Sequence, residues 1–391
     1  MIFRLGGIWY NWGIMALFGK QKPPVWVVID TGSHFIKALI LEKADGSGLP
    51  KVVRKMNIKL SPYEGAAKTV AKLRQLVFEV IKNLERVPQK IVISLGPNVA
   101  EYSLQSWGIQ SLGTEKKNSS QELKNYFHNL FEQNCDKTRA LLAFPLEIVA
   151  GGYSIDAETL KKSVVKDLSF NTFLLYFPLD VGTALNEMKQ SLGGLPIEFV
   201  PQAVAYKEAI SAALKISDAF LIDVGGEYTA LSLLGEGKLR QFQVFPLGLH
   251  HFLKDFAVKS RISLQEAEEI LRQHFQGISA PQKSQLDDII SQKSAEWQQK
   301  FQDSLGYFYH KGPLPAQIFF FGEGACLKEI ELYLRNPAWM NNFSYVTSPQ
   351  LRVWDASGIF GGETLGGFLQ GPEEVGLASL IFYAFHYKPL F

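Results

Sequence analysis

The clearest hydrophobic pattern in the chain covers residues 219–234. An unbroken apolar run ends at Asp223, turns over Gly225 and Gly226, and continues as a segment in which apolar and polar residues alternate. An unbroken short apolar run is typical of a fully buried strand, and alternation is typical of a half-buried one. The pattern therefore predicts two strands joined by a glycine turn, with a carboxylate beside the turn.

A similar pattern occurs much earlier, at residues 25–41. An apolar strand ends at Asp30, a short turn with Gly32 follows, and the outgoing strand carries Lys37. Glycine lets the backbone approach an anion closely, and a carboxylate at the strand end can hold a metal-bound water. Two such units predict a duplicated framework that grips one ligand, a phosphate with magnesium. Two ordinary hairpins whose turns need glycine are the alternative.

The segment between the two units alternates strands and helices. A strand at residues 52–60 precedes a helix that opens at Ser61 and Pro62, and residues 90–95 form a further strand. From there to about Pro178 the pattern predicts strand, helix, strand, strand. This section is predicted to be an α+β insertion without a catalytic constellation of its own.

In the last third of the chain, an apolar strand beginning at Ile318 ends in a glycine turn that opens a helix. The turn consists of Gly322, Glu323, Gly324 and Ala325. A dinucleotide-binding motif is a weak match, because the third glycine is missing and the turn lies far from a first βαβ unit.

Two other local patterns concern helices and histidines. Ser263 and Glu266 have the spacing of a capping box. The polar pattern of residues 282–311 predicts a long helix. His250 and His251 are adjacent, so their side chains diverge and make a poor pair of metal ligands.

Composition narrows the function classes. The 391 residues suffice for two domains, and 47% hydrophobic with 20% charged residues is typical of a globular protein. The 40 basic and 38 acidic residues nearly balance, which argues against a nucleic-acid partner. Cys135 and Cys326 are too few and too distant for a disulfide framework or a zinc site, so a reducing cytoplasm is expected.

Residues 1–24 differ from the rest because no charge occurs between Arg4 and Lys20. The residues near one face at helical spacing are Ile2, Leu5, Trp9 and Trp12. The run is too short to span a membrane, and no small-residue cleavage site follows it. Residues 1–18 are therefore interpreted either as an interfacial membrane anchor or as an extension upstream of a true start at Met15.

The paired strand–acid–glycine units resemble the two phosphate loops of the actin, heat-shock chaperone and sugar-kinase superfamily. The position of the insertion, followed by the runs PIEFVPQAVAY, VFPLGLHHFLKDFA and ISLQEAEEIL, resembles the FtsA and PilM branch. The resemblance implies an α/β, actin-like bilobal fold: two ribonuclease H-like domains around a nucleotide cleft. It also implies an inserted α+β strand-helix-strand-strand (SHS2) subdomain in the first domain.

The implied domain boundaries follow from this resemblance. They are an N-terminal segment 1–24, a first domain 25–89 and 179–215, an insertion 90–178, a second domain 216–373 and a returning C-terminal helix 374–391.

The resemblance also implies a site for ATP and Mg²⁺ between the domains. Asp30 and Asp223 would hold the metal through water, and Asp223 is the candidate catalytic group. The implied cofactor-binding residues are Asp30, Thr31, Gly32, Ser33, Lys37, Gly225, Gly226, Thr229, Glu268, Gly322, Gly324 and Ala325. Three positions depart from the pattern, with Glu227 and Glu323 where glycine is usual and Leu271 where lysine is usual.

The function implied is that of an FtsA-like cytoplasmic scaffold of bacterial cell division, at most a slow ATPase. Such a protein would self-associate into filaments at the inner face of the cell membrane and contact the tubulin-like division-ring protein. A PilM-like cytoplasmic adaptor of type IV pilus assembly is the alternative. A sugar kinase would need a substrate-side acid in the cleft, and no motif of that kind stands out.

Overall fold

The structure is a computed structural model. It describes the chain except for residues 1, 6–7, 12–22, 44–48, 111–119, 135–138, 157–158, 161–166, 279–281, 310–311, 361–364, 366 and 388–391.

In chain order the strands are β1 (Ile2–Leu5), β2 (Ile8–Asn11), β3 (Val25–Thr31), β4 (Phe35–Glu42), β5 (Lys51–Lys59), β6 (Lys90–Leu95), β7 (Glu101–Gln110), β8 (Ala140–Ala150), β9 (Tyr153–Ile155), β10 (Asp167–Phe177), β11 (Ile197–Pro201), β12 (Ala219–Val224), β13 (Thr229–Gly235), β14 (Lys238–Phe245), β15 (Gln317–Phe321) and β16 (Gln350–Val353). The α-helices are α1 (Ala66–Lys82), α2 (Ser120–Asn134), α3 (Leu179–Ser191), α4 (Gln202–Ala209), α5 (Leu249–Ser260), α6 (Leu264–Phe275), α7 (Lys283–Tyr309), α8 (Lys328–Arg335), α9 (Pro337–Met340), α10 (Ala356–Ile359) and α11 (Val375–His386). Short 3₁₀ turns occupy Glu323–Cys326 and Pro372–Glu374.

A first five-stranded sheet has the strand order β11–β6–β3–β4–β5. β3 is parallel to β6 and antiparallel to β4, so Asp30 lies opposite Ser94 on one side and Lys37 on the other. α1 packs against β4 and β5, and α11 packs against β3 and β6. Because helices cover the sheet, β3 is buried along nearly its whole length, as its unbroken apolar sequence indicates.

A second five-stranded sheet repeats this topology with the order β14–β13–β12–β15–β16. In both sheets, the strand that comes first in the chain, β3 or β12, lies in the centre. It is antiparallel to the next strand in the chain and parallel to the fourth strand of its sheet in chain order. The core beside the second sheet includes the fully buried Trp297, Phe301 and Trp339. The duplicated framework predicted from the two apolar runs is therefore present.

A third, four-stranded sheet with the order β7–β10–β8–β9 is antiparallel throughout. Together with α2 it encloses a small core around Trp107, Leu123 and Phe170. The predicted start of this insertion at residue 90 is wrong, because Lys90–Leu95 pairs with β3 and belongs to the first sheet. The strand, helix, strand, strand order begins instead with β7.

The N-terminal segment also departs from its prediction. β1 and β2 pair as an antiparallel ribbon, so the interpretation of residues 2–11 as one face of a helix is wrong. Three glycines in this segment, at positions 6, 7 and 13, disfavour a helix. The proposed start at Met15 lies outside the described residues. Among the described residues, no helix is both long enough and apolar enough to cross a membrane.

The inserted sheet contacts the second unit through β14. Glu147 on β8 is buried, and its carboxylate lies 2.6 Å from Lys238 Nζ and 3.2 Å from Arg240 Nη1. Phe242 on β14 packs against the rings of Tyr102 and Phe173, with centroid distances of 5.0 and 5.3 Å. The insertion is thus fixed to both five-stranded units, covalently to the first and by contacts to the second.

Candidate functional site

A cavity lies between the two five-stranded units, where β3 and β12 end. The space available to the centres of water-sized molecules is about 50 Å³, enough for a few waters. The sequence-predicted residues that line it are Asp30, Thr31, Gly32, Ser33, Lys37, Asp223, Gly225, Gly226 and Gly322. The predicted residues that do not line it are Thr229, Glu268, Gly324 and Ala325.

Asp30 is buried at the end of β3. Its Oδ1 accepts hydrogen bonds from Ser94 Oγ at 2.6 Å and from Gln202 Nε2 at 3.2 Å. Burial raises the pKa of Asp30, and the bond from Ser94 offsets part of this rise. The carboxylate is therefore already engaged by groups of its own unit.

Asp223 holds the equivalent position at the end of β12. Its Oδ2 accepts a hydrogen bond from Tyr206 Oη at 2.7 Å. Burial raises the pKa of Asp223 to about 7, while Tyr206 lowers it and the nearby Asp30 carboxylate raises it further. A carboxyl group with a pKa raised this far is partly protonated near neutral pH, which weakens it as a ligand for a cation.

Helix α4 connects the two acids. Gln202 and Tyr206 are four residues apart and therefore lie on one helix face, where Gln202 bonds to Asp30 and Tyr206 bonds to Asp223. Sequence reasoning missed this role, although the run PIEFVPQAVAY contains both residues. The spacing of four was the signal that could have found it.

Lys37 supplies positive charge to the cavity, and its ammonium group is already occupied. Nζ donates to the carbonyl oxygen of Glu373 at 2.7 Å and lies 3.6 Å from Glu374 Oε1. Burial alone would lower the pKa of Lys37, but the carboxylates of Glu323 and Glu374 raise it above its usual value. Lys37 is thus a charged group held by the C-terminal segment.

Ser33 of the first loop makes a contact across the cavity. Ser33 Oγ accepts a hydrogen bond from the backbone N–H of Glu227 at 2.9 Å. Thr31 instead bonds within its own unit, since its hydroxyl donates to the Ser94 carbonyl oxygen at 2.8 Å. Gly32 forms the turn between them.

The second loop is held by the start of helix α5. The carbonyl oxygens of Gly225 and Gly226 accept hydrogen bonds from Leu249 N at 3.0 Å and His250 N at 2.7 Å. This close approach requires glycine at position 248, because a Cβ there would lie 2.6 Å from the Gly226 oxygen. The α5 amides, which could otherwise bind an anion, therefore stabilise the loop.

Thr229 does not face the cavity, which corrects its predicted role. It is fully buried, and its hydroxyl donates to the Leu247 carbonyl oxygen at 2.6 Å and accepts from Trp297 Nε1 at 2.9 Å. Because side chains alternate along a strand, this position on β13 points into the second core.

The turn after β15 contributes less than expected. Gly322 lines the cavity with φ of 95°, and its N–H donates to the Pro372 carbonyl oxygen at 3.1 Å. Gly324 packs against Val224, and Ala325 is buried in the second core. Leu271, at the position where lysine is usual, is also a core residue.

Glu268 was predicted to bind a ligand and instead contacts the opposite unit. Its carboxylate pairs with Lys59 on β5 and lies 3.4 Å from His34 Nε2. Glu323, from the turn after β15, lies 3.3 Å from His34 Nδ1. Sequence reasoning missed His34, whose only signal was its place at the end of the first loop.

Glu227 also points toward the opposite unit. Its Oε1 accepts a hydrogen bond from the backbone N–H of Tyr63 at 2.5 Å. Tyr63 has φ of 61°, and its ring lies against His251 and beneath the ammonium of Lys254. Because residues 61–65 form this contact, α1 begins at Ala66 and not at Ser61 as predicted.

The described residues do not fit ATP with magnesium in this arrangement. The cavity has carboxylates from Asp30, Asp223, Glu323 and Glu373 on its lining, against the single ammonium of Lys37 among the described lining residues. A triphosphate would be repelled by those of these acids that are ionised. No group of three or more His, Cys, Asp or Glu side chains among the described residues could hold a metal ion.

Comparison with known proteins supports the predicted fold class. No family model matches the chain, and a comparison with curated proteins gives no significant match. Among solved structures, the chain is similar to the "PilM-PilN type IV pilus biogenesis complex", with 17% identity over 91% of this chain and 98% of that chain and a TM-score of 0.63.

Two further solved structures match over most of their length with lower TM-scores. The ethanolamine utilization protein EutJ from Carboxydothermus hydrogenoformans is 13% identical over 95% of this chain and 93% of that chain, with a TM-score of 0.48. MreB5 of Spiroplasma citri bound to ADP is 10% identical over 92% of this chain and 96% of that chain, with a TM-score of 0.46. The likeness with a TM-score of 0.63, together with the two equivalent five-stranded sheets, shows the fold of the actin-like ATPases, and the predicted fold class is confirmed.

Proposed function

We propose that this chain is a cytoplasmic adaptor with an actin-like fold that acts in type IV pilus assembly by binding a partner protein. The likeness to the PilM-PilN complex covers 91% of this chain and 98% of the matched chain, which supports a role in pilus assembly through a partner protein. The role is that of a scaffold, not of an enzyme that turns over ATP.

The chemistry of the cavity supports the proposal that the protein is a scaffold and not an ATP-hydrolysing enzyme. Asp30 and Asp223, the two groups expected to organise magnesium, bond to Ser94, Gln202 and Tyr206 of the protein itself. Burial raises the pKa of both acids, which disfavours the ionised form that a metal ligand needs. A protein with such a cavity would act by binding partner proteins on its surface.

A division scaffold of the FtsA type is the second candidate, because it has the same fold and the same predicted order of sequence runs. It would bind ATP, self-associate into filaments and contact the division-ring protein. The cavity chemistry argues against the ATP-dependent part of that role.

Deletion of the gene in its host separates the two candidates. We expect loss of surface pili with normal cell length, and restoration of pili by the wild-type gene. Long undivided cells that still carry pili would support the division scaffold instead. Normal pili and normal division in the deletion strain would contradict both proposals.

Attachment to the inner face of the membrane through residues 1–18 remains a separate proposal. We expect the full chain to sediment with anionic liposomes and a version beginning at Met15 to stay in solution, because Trp9, Trp12 and the basic Arg4 would be lost. Equal sedimentation of both versions, or of neither, would contradict the anchor.

A further inference from the structure

We infer that Glu227, Glu268 and Glu323 form a latch that holds the two five-stranded units closed without a nucleotide. Each of these residues belongs to the second unit, and each contacts a group of the first unit. The inference goes beyond the proposed adaptor role, since an adaptor could open and close with or without such a latch.

The most buried part of the latch surrounds His34. The imidazole is buried, with 6% of its surface exposed, and both ring nitrogens face carboxylates of the second unit. Nε2 lies 3.4 Å from Glu268 and Nδ1 lies 3.3 Å from Glu323. The ring is further fixed by stacking on Phe35 at 4.4 Å and by His250 at 4.7 Å. A side chain of the first unit is therefore clamped between two acids of the second.

Lys59 adds a second cross-unit contact to the same acid. Its ammonium pairs with the Glu268 carboxylate, so this one group joins both β5 and the first loop to helix α6. The pair is partly exposed, with 49% and 34% of the two side chains accessible, and is weak alone. Its effect comes from adding to the buried contacts of His34.

Glu227 joins the units at the other side of the cavity. Its carboxylate accepts from Tyr63 N, and its own N–H donates to Ser33 Oγ. The positive φ of Tyr63 is unfavourable for a residue with a bulky side chain and persists only where surrounding contacts impose it. The contact with Glu227 is one of those constraints.

Glu227 and Glu323 thus connect two loops of the second unit, residues 225–228 and 322–325, to the loop of residues 31–34 in the first unit, and Glu268 connects helix α6 to that same loop. At the two positions where glycine was expected, the carboxylate of Glu227 accepts from Tyr63 N and that of Glu323 lies 3.3 Å from His34 Nδ1 of the first unit. The departures from the expected loop pattern are therefore explained as cross-unit contacts. Closure of the cavity is a built-in property of this chain.

Hydrogen–deuterium exchange of the full chain, without nucleotide, tests the latch. The variant Glu268→Gln with Glu323→Gln removes both acids from His34. We expect amides of the three loops to exchange about tenfold faster than in the wild type. Glu269→Gln is the matched control, because this neighbour on α6 bonds only to Arg272 and Gln273 of its own helix among the described contacts.

Slow exchange in β3 and β12 shows whether the double variant is folded. Should it unfold, Lys59→Gln replaces it, with a smaller increase expected in the same loops and none in the control. Loop exchange within about twofold of the wild type in a folded variant would overturn the latch, as would wild-type loops that become protected only when Mg-ATP is added. Neither result bears on the pilus phenotype, so the two proposals fail separately.

Discussion

Replacement of Asp223 by asparagine should make the protein more stable at neutral pH. Asparagine has nearly the shape of aspartate, keeps an oxygen that can accept from Tyr206 Oη, and carries no charge to bury. The wild-type carboxylate has a pKa of about 7 in the folded protein against a usual value of 3.8. The raised pKa means that the ionised form of Asp223 is less stable in the cavity than in water, because burial removes its solvation.

The sign and size of the effect follow from proton linkage. Between about pH 4 and pH 7 the folded wild type keeps a proton that the unfolded chain has lost, so its free energy of unfolding falls as pH rises. Moving the pKa from 3.8 to about 7 corresponds to roughly 4 kcal/mol at about 1.4 kcal/mol per pH unit. Because Asp223 is only half-buried and lines the cavity, about 2–4 kcal/mol is expected.

Urea unfolding followed by tryptophan fluorescence measures this directly at about pH 4, 6 and 8. We expect Asp223→Asn to match the wild type at the lowest pH and to exceed it increasingly above. Asp287→Asn, at an exposed position of α7, is the control and should show no such trend. A variant that is less stable than the wild type at pH 8, or a difference independent of pH, would refute the reasoning.

Two further substitutions test the contacts that hold the second loop and the insertion. Gly248→Ala should lower the free energy of unfolding by several kcal/mol, because its Cβ would lie 2.6 Å from a loop carbonyl oxygen. The control Gly306→Ala has open space around it in α7 and should raise the free energy of unfolding by up to about 1 kcal/mol. Equal effects of the two substitutions in thermal unfolding would contradict this expectation. Glu147→Ala should lower the free energy of unfolding in urea by about 1–3 kcal/mol, because Lys238 loses its partner. The exposed control Glu101→Ala should lower it by less than about 1 kcal/mol. A smaller decrease for Glu147→Ala than for Glu101→Ala would show that Glu147 does not hold the insertion in place.

The repeated apolar run was enough to predict the duplicated sheets. β3 and β12 are each buried on both faces, so their sequences show the burial without reference to the rest of the chain. Asp30 and Asp223 were correctly brought together because the ends of equivalent strands in duplicated units face one cavity. The capping box of Ser263 and Glu266 is also confirmed, since it depends only on local spacing.

Contacts between the two units could not be predicted in the same way. The pairing of Glu268 with Lys59 and His34 joins segments that are far apart in the chain, and no local pattern indicates it. Thr229 was misassigned because the direction of a strand side chain depends on which face the sheet buries. Residues 90–95 were assigned to the insertion because an apolar run does not indicate which sheet it joins.

The most direct test of the central claim is a calorimetric titration of the full chain with Mg-ATP. A cavity closed by the protein's own side chains predicts no saturable heat at nucleotide concentrations up to about 1 mM, which corresponds to a binding free energy weaker than about −4 kcal/mol. Saturable one-to-one binding with a micromolar dissociation constant would contradict the claim and would restore Asp30 and Asp223 to the role of metal-holding groups.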